Sequence, residues 1–489
     1  MYSSVLSVAL VGGDARVVHV EAAVGRNKEG FRLSGLPDTA LREAKDRVRS
    51  AITASGIEFP HREVTINLAP ADLRKRGSDY DLPIALAILA ADRQIADMAR
   101  AVIVGELALD GKVRRGGSSL GAAVIGSRLG IPCLVSREHA AQVAVVPGSE
   151  VHAVETLSEA VSLVSSGLQA QPTVPEGGES DAPEPPDMRD IRGQSFARRA
   201  LEVAAAGGHH LLLHGPPGGG KTMLARRLPG ILPGLEERHA IEVALVKSNA
   251  GLGDSVSYVP PFRAPHHTAT RAALVGGGSG MPTPGEISLA HCGVLFLDEL
   301  AEFPRSHLDA LRQPLEEGAV VISRQGSSVR FPARFQLIGA TNPCPCGYWG
   351  DRRRPCTCTG PGRDRYRQRL SGPLLDRFDL AVHVKRVAAD DFKGGGGEAS
   401  APVARRVASA RDIQLARGAV NGDLPDSLVQ ELPISGTARD LLLRSLQSSA
   451  ITARGVGRVR RVSQTLADLD GTDVGEEHVA EALSLRGGW

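Results

Sequence analysis

The stretch "LLLHGPPGGGKTMLARRL", residues 211–228, places a turn rich in glycine and proline between an apolar run and a run with helical spacing. Its middle part, "GPPGGGKT", fits the pattern G-x-x-x-x-G-K-[ST]. In that pattern backbone amides surround the phosphates of a nucleotide, the lysine reaches the outer phosphates and the hydroxyl holds Mg²⁺. The alternative is an ordinary strand-to-helix turn with a chance lysine. The preceding apolar strand favours a phosphate loop, formed by Gly215, Pro216, Pro217, Gly218, Gly219, Gly220, Lys221 and Thr222.

Two later apolar runs also end in polar side chains. "GVLFLDEL", residues 293–300, ends with Asp298 and Glu299, and "FQLIGATNP", residues 335–343, carries Asn342. Because the carboxyl ends of parallel strands share one edge of a sheet, Asp298 is predicted to hold Mg²⁺ and Glu299 to polarise the attacking water. Asn342 is predicted to orient that water or the γ-phosphate. Without the phosphate loop upstream, the two acids would indicate only a helix cap.

Arginines further along the chain are candidates for completing this site. "GPLLDRFDL", residues 372–380, holds Arg377 between two aspartates, where it could reach the nucleotide of a neighbouring subunit as an arginine finger or form a surface ion pair. Near the C-terminus, Arg454, Arg458 and Arg461 fall at or near one helix start. Of these three, Arg458 is the favoured contact to the γ-phosphate.

The chain has 489 residues, enough for two or three domains, each with its own core. Residues 167–188 are rich in proline, glycine and acid, and residues 389–402 contain a glycine run, so both are predicted linkers. They separate an α/β domain (1–166), a core (189–388) whose apolar runs indicate a buried parallel sheet, and a helical lid (403–489). With 57 basic and 55 acidic residues, a nucleic-acid surface must be local.

The N-terminus has no basic leader, and no apolar stretch approaches the roughly 18 residues that span a bilayer, so the prediction is a cytoplasmic protein without membrane contact. In a reducing compartment, four cysteines within fifteen residues indicate metal before disulfide. Cys344, Cys346, Cys356 and Cys358 are predicted to bind a structural Zn²⁺, although their C-x-C spacing is less common than C-x2-C. Cys133 and Cys292 are expected to be buried core thiols.

Basic residues cluster in two segments of the core. Residues 319–335, "AVVISRQGSSVRFPARF", predict a hairpin with Arg324 and Arg330 toward its tip, able to hold the phosphates of a DNA strand or simply to be solvated. The cysteine segment adds Arg352, Arg353 and Arg354 beside aromatic rings, which favours a nucleic-acid surface over the alternative of a subunit interface. His266 and His267 are interpreted as structural or pore-facing.

Several long strings resemble the YifB/ComM family of magnesium-chelatase-like AAA+ ATPases: "FRAPHHTAT" (262–270), "PGEISLAHCGVLFLDEL" (284–300), "ISRQGSSVRFPARFQLIGATNPCPCGYWGD" (322–351) and "SGPLLDRFDL" (371–380). The resemblance covers essentially the whole chain. It implies a Lon-protease-like domain over 1–166, an AAA+ core over 189–388 with a cysteine-rich insert at 342–360, and the lid. It also implies a nucleotide-dependent homo-hexamer that uses ATP and Mg²⁺.

The same resemblance implies an output on single-stranded or branched DNA, of the helicase or branch-migration type associated with natural transformation and recombination. Two alternatives stay open: the motor subunit of a metal chelatase, and a regulatory module that recruits peptides. The Lon-like domain is predicted to be non-proteolytic. In "KRGSDYDLP", residues 75–83, Asp79 stands at the position of the nucleophile and Ser78 is one place off.

Overall fold

The computed structural model describes residues 1–25, 29–38, 41, 43–95, 98–175, 184–278, 281–324, 327–351, 354–387, 396–448 and 451–487, without the side chains of residues 324 and 327. Among the described residues, no helix combines the length and the apolar character needed to cross a lipid bilayer.

The N-terminal part is built on a seven-stranded sheet with the order β3-β4-β2-β1-β5-β8-β9. β1 and β2 form a long antiparallel hairpin, and β2 also pairs antiparallel with β4. The strands are β1 Tyr2–Val11, β2 Asp14–Val24, β3 Gly30–Ser34, β4 Glu63–Ala69, β5 Val102–Ile103, β6 Glu106–Leu107, β7 Val113–Arg114, β8 Cys133–Ser136 and β9 Val151–Val154.

The helices of this part are α1 Ala44–Ala54, α2 Asp81–Ala91, α3 Ser119–Leu129, α4 Arg137–Val143 and α5 Leu157–Ser165. The sequence of α2, "DLPIALAILAA", is apolar on all sides, and every residue of it except Ala90 is buried. A helix with this composition belongs inside a core, and α2 packs against β1 and β2 accordingly.

The middle part contains a five-stranded sheet with the order β11-β14-β17-β10-β18. All its strands run parallel, as the sequence predicted, and every residue of β10, β14 and β17 is buried. The strands are β10 Leu211–His214, β11 Phe262–Arg263, β12 Gly276–Gly277, β13 Thr283–Pro284, β14 Val294–Leu297, β15 Ala319–Arg324, β16 Ser327–Pro332, β17 Gln336–Thr341 and β18 Leu380–His383.

Short helices surround this sheet. They are α6 Ser195–Gly207, α7 Lys221–Ala225, α8 Glu237–Asn249, α9 Arg271–Val275, α10 Glu286–Leu289, α11 Arg305–Asp309, α12 Arg312–Glu317, α13 Gly360–Arg367 and α14 Gly372–Leu375. Among the described residues, 3-10 turns lie at Met188–Asp190, Leu228–Ile231 and Leu300–Glu302 near this sheet, and at Asn421–Asp423 in the C-terminal part.

The C-terminal part is helical: α15 Ser400–Ala416, α16 Asp426–Glu431, α17 Gly436–Gln447, α18 Ala453–Asp470 and α19 Glu476–Arg486. α15 begins within the predicted linker 389–402, and its buried residues pack on α6 of the core. The predicted fold class is confirmed: an α/β N-terminal domain, a parallel-sheet core and a helical C-terminal part. The exact domain boundaries stay predictions.

The N-terminal domain packs directly on the core through α8, which contacts β1, β2 and α3. Asn249, at the end of α8, donates to the carbonyl of Gly12 in the β1–β2 turn at 2.9 Å. Asp254 is buried between Arg115 and His139 of the N-terminal domain, each 3.2 Å from its carboxylate. The two domains are therefore joined by polar contacts as well as by apolar packing.

Candidate nucleotide-binding site

The predicted phosphate loop connects the end of β10 to the start of α7. Gly218 and Gly220 have φ angles of 76° and 89°, in the left-handed region that favours glycine. Gly215 is needed for a different reason, because a Cβ there would lie 2.2 Å from the carbonyl oxygen of Val384 on the neighbouring strand. The loop is thus held against β18 with its amides and Lys221 at the carboxyl edge of the sheet.

Lys221 lies at the centre of this edge. Its Nζ donates to the carbonyls of Gly215 and Pro216 at 2.7 and 3.1 Å, and to Oδ1 of Asn342 at 3.1 Å. Burial lowers the pKa of Lys221 to about 8, while Asp298 and Glu299 act in the opposite direction. The ammonium is therefore still mostly charged at neutral pH, as a phosphate ligand must be.

The predicted metal ligands meet directly. The hydroxyl of Thr222 donates to Oδ2 of Asp298 at 2.6 Å, and the other oxygen of Asp298 accepts from the backbone N–H of Glu299 at 2.9 Å. Mg²⁺ in nucleotide-binding proteins is usually bound by one or two protein oxygens together with phosphate oxygens of the nucleotide, and the side chains of Thr222 and Asp298 offer such oxygens. Glu299 itself has φ 50°, a left-handed conformation that is strained for a glutamate and fits a functional turn.

His267 belongs to the same site. The sequence analysis interpreted it as a structural or pore-facing residue and did not place it here. Its Nδ1 lies 3.3 Å from Oε2 of Glu299, and its ring lies 4.1 Å from that of His266. His267 follows β11, which is parallel to β14. The position of "HH" after a strand of the same sheet was the signal that could have found it.

Gln194 is a second residue that the sequence reasoning missed. Its side-chain amide donates to the carbonyl of Gly219 at 3.2 Å and also to the carbonyl of Lys385. It precedes α6 and bridges the phosphate loop to the segment after β18. Nothing in the local sequence marks it, because its role depends on the packing of α6.

Arg377 and Arg458 lie apart from this group. Arg377 forms an ion pair with Glu316, and Arg458 donates to the carbonyl of Phe378 at 3.4 Å and lies 3.8 Å from Asp379. Asp379 comes just before β18, which pairs in parallel with β10. Both arginines therefore lie toward the amino edge of the sheet, opposite the phosphate loop of the same chain.

The four cysteines of the insert come together. Cys344, Cys346, Cys356 and Cys358 have their sulfur atoms within 4.8 Å of one another, and backbone N–H groups of Cys346 and Trp349 point at two of them. Four thiols in this arrangement fit a tetrahedral zinc site. The insert also touches the phosphate loop, since a Cβ at Gly347 would lie 2.6 Å from Cδ of Pro217.

The arginines that were predicted to contact DNA lie in different places. Arg330 pairs with Val321 in the middle of the β15–β16 hairpin, not near its tip, and lines a cavity shared with the N-terminal domain. Arg354 is exposed and stacks on Tyr348 at 4.1 Å. Arg352, Arg353 and the side chain of Arg324 lie outside the described residues.

In the N-terminal domain, Asp79 comes just before α2, and its side chain is buried against the turn that precedes α3. Its Oδ1 accepts from the N–H of Gly117 at 2.9 Å, and burial raises the pKa of the carboxyl. Lys75 donates to the carbonyls of Leu68 and Pro70, and Ser78 donates to Glu106. The geometry agrees with the prediction of a non-proteolytic domain, which stays a prediction.

Three family profiles match the chain in succession: "Subunit ChlI of Mg-chelatase" over 20–137, "Magnesium chelatase, subunit ChlI" over 187–392 and "Magnesium chelatase, subunit ChlI C-terminal" over 397–486. The competence protein ComM of Haemophilus influenzae is 41% identical over 99% of this chain and 97% of its own length. YifB of Escherichia coli is 40% identical over 98% and 96%. The chain belongs to the YifB/ComM family of magnesium-chelatase-like AAA+ proteins.

Other relatives differ in how much of this chain they match. A Mycobacterium tuberculosis protein is 43% identical over 98% of this chain. The magnesium-chelatase 38 kDa subunit of Acidiphilium rubrum is 34% identical but covers only 21% of this chain. The YifB/ComM likeness thus extends over the whole chain, whereas this chelatase subunit shares one segment. The resemblance proposed from the sequence is confirmed.

Proposed function

We propose that this chain is a Mg-ATP-driven ring motor that acts on DNA, of the helicase or branch-migration type. The observation that carries the proposal is the division of the site across the sheet. The phosphate loop, the metal ligands and Glu299 occupy one edge, while Arg377 occupies the opposite edge of the same protomer. A nucleotide held here would receive an arginine from a second copy of the chain, which favours a nucleotide-dependent homo-hexamer.

ATP and Mg²⁺ fit the residues present. Lys221 and the loop amides would hold the β- and γ-phosphates, and Thr222 and Asp298 would hold the metal. Glu299 would polarise water, with His267 3.3 Å away as the partner that orients its carboxylate. The bound metal would supply charge neutralisation at the phosphates.

Support for DNA as the substrate comes from the insert and from the relatives. Guanidinium groups of Arg363 and Arg367 lie 5.5 and 5.4 Å from the ring of Trp349, which is 43% exposed. A ring with arginines beside it can stack on bases while the charges meet phosphates. The name of the Haemophilus influenzae relative, a competence protein, favours a role in DNA uptake or recombination for this chain as well.

The alternative of a chelatase motor rests on partial matches, such as the 30% identity to the magnesium-chelatase 67 kDa subunit of Chlorobaculum parvum, over 32% of this chain. A peptide-recruiting module has no support beyond the N-terminal fold. Stimulation of ATP turnover separates the three functions. Forked DNA should raise turnover in the proposed motor, whereas porphyrin with a chelatase partner subunit, or peptides, should not.

The test of the proposed function compares the parent with Glu299→Gln. The variant should bind ATP normally and lose turnover on the order of 100- to 10,000-fold, because the amide cannot polarise water. It should also lose unwinding of a branched DNA substrate. Glu302→Gln is the matched control, because Glu302 lies three residues on and pairs with Arg369 at 2.8 Å.

Ring assembly is measured by sedimentation with and without ATP, using the same proteins. A parent that stays monomeric with ATP, or whose turnover does not respond to forked DNA, would contradict the proposal. Equal turnover in Glu299→Gln and Glu302→Gln would contradict the role given to Glu299.

A further inference from the structure

A second group of metal-binding side chains lies on the core, far along the chain from the four-cysteine cluster. His239 and Glu242 are three residues apart on α8, so they share one face of the helix. Cys292 comes from the turn before β14. One ligand atom from each of the three side chains lies within 4.8 Å of the others. Cys292 was expected to be a buried core thiol, but it is only half-buried and has φ 56°.

The neighbouring His291 holds the carboxylate of this group in place. Its Nδ1 accepts from the backbone N–H of Arg334 at 3.1 Å, so the proton is on Nε2, which lies 3.2 Å from Oε2 of Glu242. The same Nε2 lies 3.3 Å from Sγ of Cys292. A histidine that donates to a ligating carboxylate is the usual outer support of a metal site, because it fixes the carboxylate orientation.

The group opens onto a cavity of about 950 Å³ between the core and the N-terminal domain. His239 and Glu242 form part of its wall, and Asp14 and Arg128 line it from the N-terminal domain. Because two of the three ligands, His239 and Glu242, face this volume, a coordination position is left for water or another small ligand, which distinguishes such a site from a closed structural one.

We propose that His239, Glu242 and Cys292 form a second divalent metal site, of the zinc class, in the wall of this cavity. A nitrogen, a carboxylate oxygen and a sulfur are the three ligand types that zinc accepts in tetrahedral sites. Metal–ligand bonds of about 2.0–2.3 Å require the three atoms to move together by roughly 1 Å. The side chain of His239 is 36% exposed, and its Nδ1 lies 4.0 Å from Oε2 of Glu236, whose side chain is 71% exposed and can follow that move.

A contact of Glu242 also has to break. Arg238 lies 3.2 Å from Oε1 of Glu242, but its side chain is 84% exposed and can leave for solvent when a cation arrives. The bound metal would then link α8 to the turn before β14. α8 contacts the N-terminal domain, and β14 leads to Asp298. Metal binding would connect the domain interface to the strand that bears the Mg²⁺ ligand.

The experiment measures bound metal per chain in the full-length protein. Metal-free parent, His239→Ala, Cys292→Ser and the control His61→Ala are loaded with zinc, freed of excess and analysed by mass spectrometry of the metal. His61 is an exposed histidine of the N-terminal domain. The parent and His61→Ala should carry one equivalent more than either His239→Ala or Cys292→Ser, whatever the four-cysteine cluster holds.

Cobalt loading gives a second readout, since the cobalt–thiolate absorption should be weaker in Cys292→Ser than in the parent by the contribution of Cys292, while the four-cysteine cluster contributes equally to both. Circular dichroism and ATP binding verify that each variant is folded, and His239→Ala decides the question if Cys292→Ser does not fold. The proposal is overturned if folded His239→Ala retains the metal content of the parent. The outcome is independent of whether the protein moves DNA.

Discussion

Two turns of this molecule offer backbone amides to an anion, one in the core and one in the N-terminal domain. In the core, the loop 215–220 leads into α7, and the Nζ of Lys221 lies 3.1 Å from Oδ1 of Asn342. In the N-terminal domain, the turn before α3 gives the N–H of Gly117 to the carboxylate of Asp79. Lys75 there is buried and, like Lys221, donates to backbone carbonyls.

The difference shows what makes such a turn a binding site. Amides attract an anion in both places, but in the N-terminal domain Asp79 supplies that anion from within the chain. The same Gly117 also accepts a hydrogen bond at its carbonyl from Ser248 of α8, so the filled turn lies against the core. The amides of the N-terminal turn are bonded to a side chain of the same chain and stabilise a domain interface, whereas the amides of the loop 215–220, beside a charged lysine, are expected to bind phosphate.

The largest expected effect tests the role of the core loop and its lysine in ATP binding. Lys221→Ala should weaken ATP binding by roughly 100-fold or more, because it removes the buried cation that meets the outer phosphates. Lys75→Met is the contrasting variant and should leave the ATP affinity unchanged. Titration with a fluorescent ATP analogue measures both. Similar losses in the two variants would show that the two lysines do not have separate roles.

A smaller effect concerns the contact between the insert and the phosphate loop. In Gly347→Ala the new Cβ would lie 2.6 Å from Cδ of Pro217, and a proline ring cannot swing aside, so the loop has to shift. A displacement of about 1 Å in a reacting site costs up to roughly 100-fold, so ATP turnover should fall at least tenfold.

Gly350→Ala is the matched control for that variant. Gly350 has φ 83° against 82° for Gly347, but a Cβ there meets nothing within 4 Å. Both variants carry the same backbone strain, so a difference in their steady-state turnover isolates the contact with Pro217. Unchanged turnover in Gly347→Ala would mean that the insert does not position the loop.

The parts of this site that the sequence predicted are those that depend on local spacing. The phosphate loop, Asp298 and Asn342 follow strands of one parallel sheet, and the topology brings the ends of such strands together without further information. The Thr222–Asp298 contact is a consequence of that rule. The clustering of four cysteines is likewise short-range, since they lie within fifteen residues.

The parts that the sequence did not reveal depend on packing between distant segments. The contact of His267 with Glu299 requires β11 to lie beside β14, and Gln194 requires the placement of α6. Arg330 lines a cavity shared with the N-terminal domain, because the β1–β2 turn packs on β16. Residue type and spacing carry no signal for the contacts of Gln194 and Arg330, and for His267 the sequence signal is its position after a strand of the same sheet.

The smallest expected effect tests the turn of the N-terminal domain that is bonded to Asp79. In Gly116→Ala the new Cβ would lie 2.3 Å from Oδ1 of Asp79, whose buried carboxylate has little space to move. Overpacking of this kind should lower the free energy of unfolding by about 1–3 kcal/mol. In Gly117→Ala the nearest atom, Oδ2 of Asp79, would be 4.0 Å away, so that variant should unfold close to the parent.

Thermal unfolding and ATP titration of these two glycine variants complete the test. If Asp79 fills the turn only to stabilise the domain, Gly116→Ala should melt earlier than Gly117→Ala while both keep the ATP affinity of the parent. A loss of ATP affinity in Gly116→Ala as large as that in Lys221→Ala would instead mean that the filled turn controls the nucleotide site through Gly117 and Ser248. The two turns would then be parts of one coupled device.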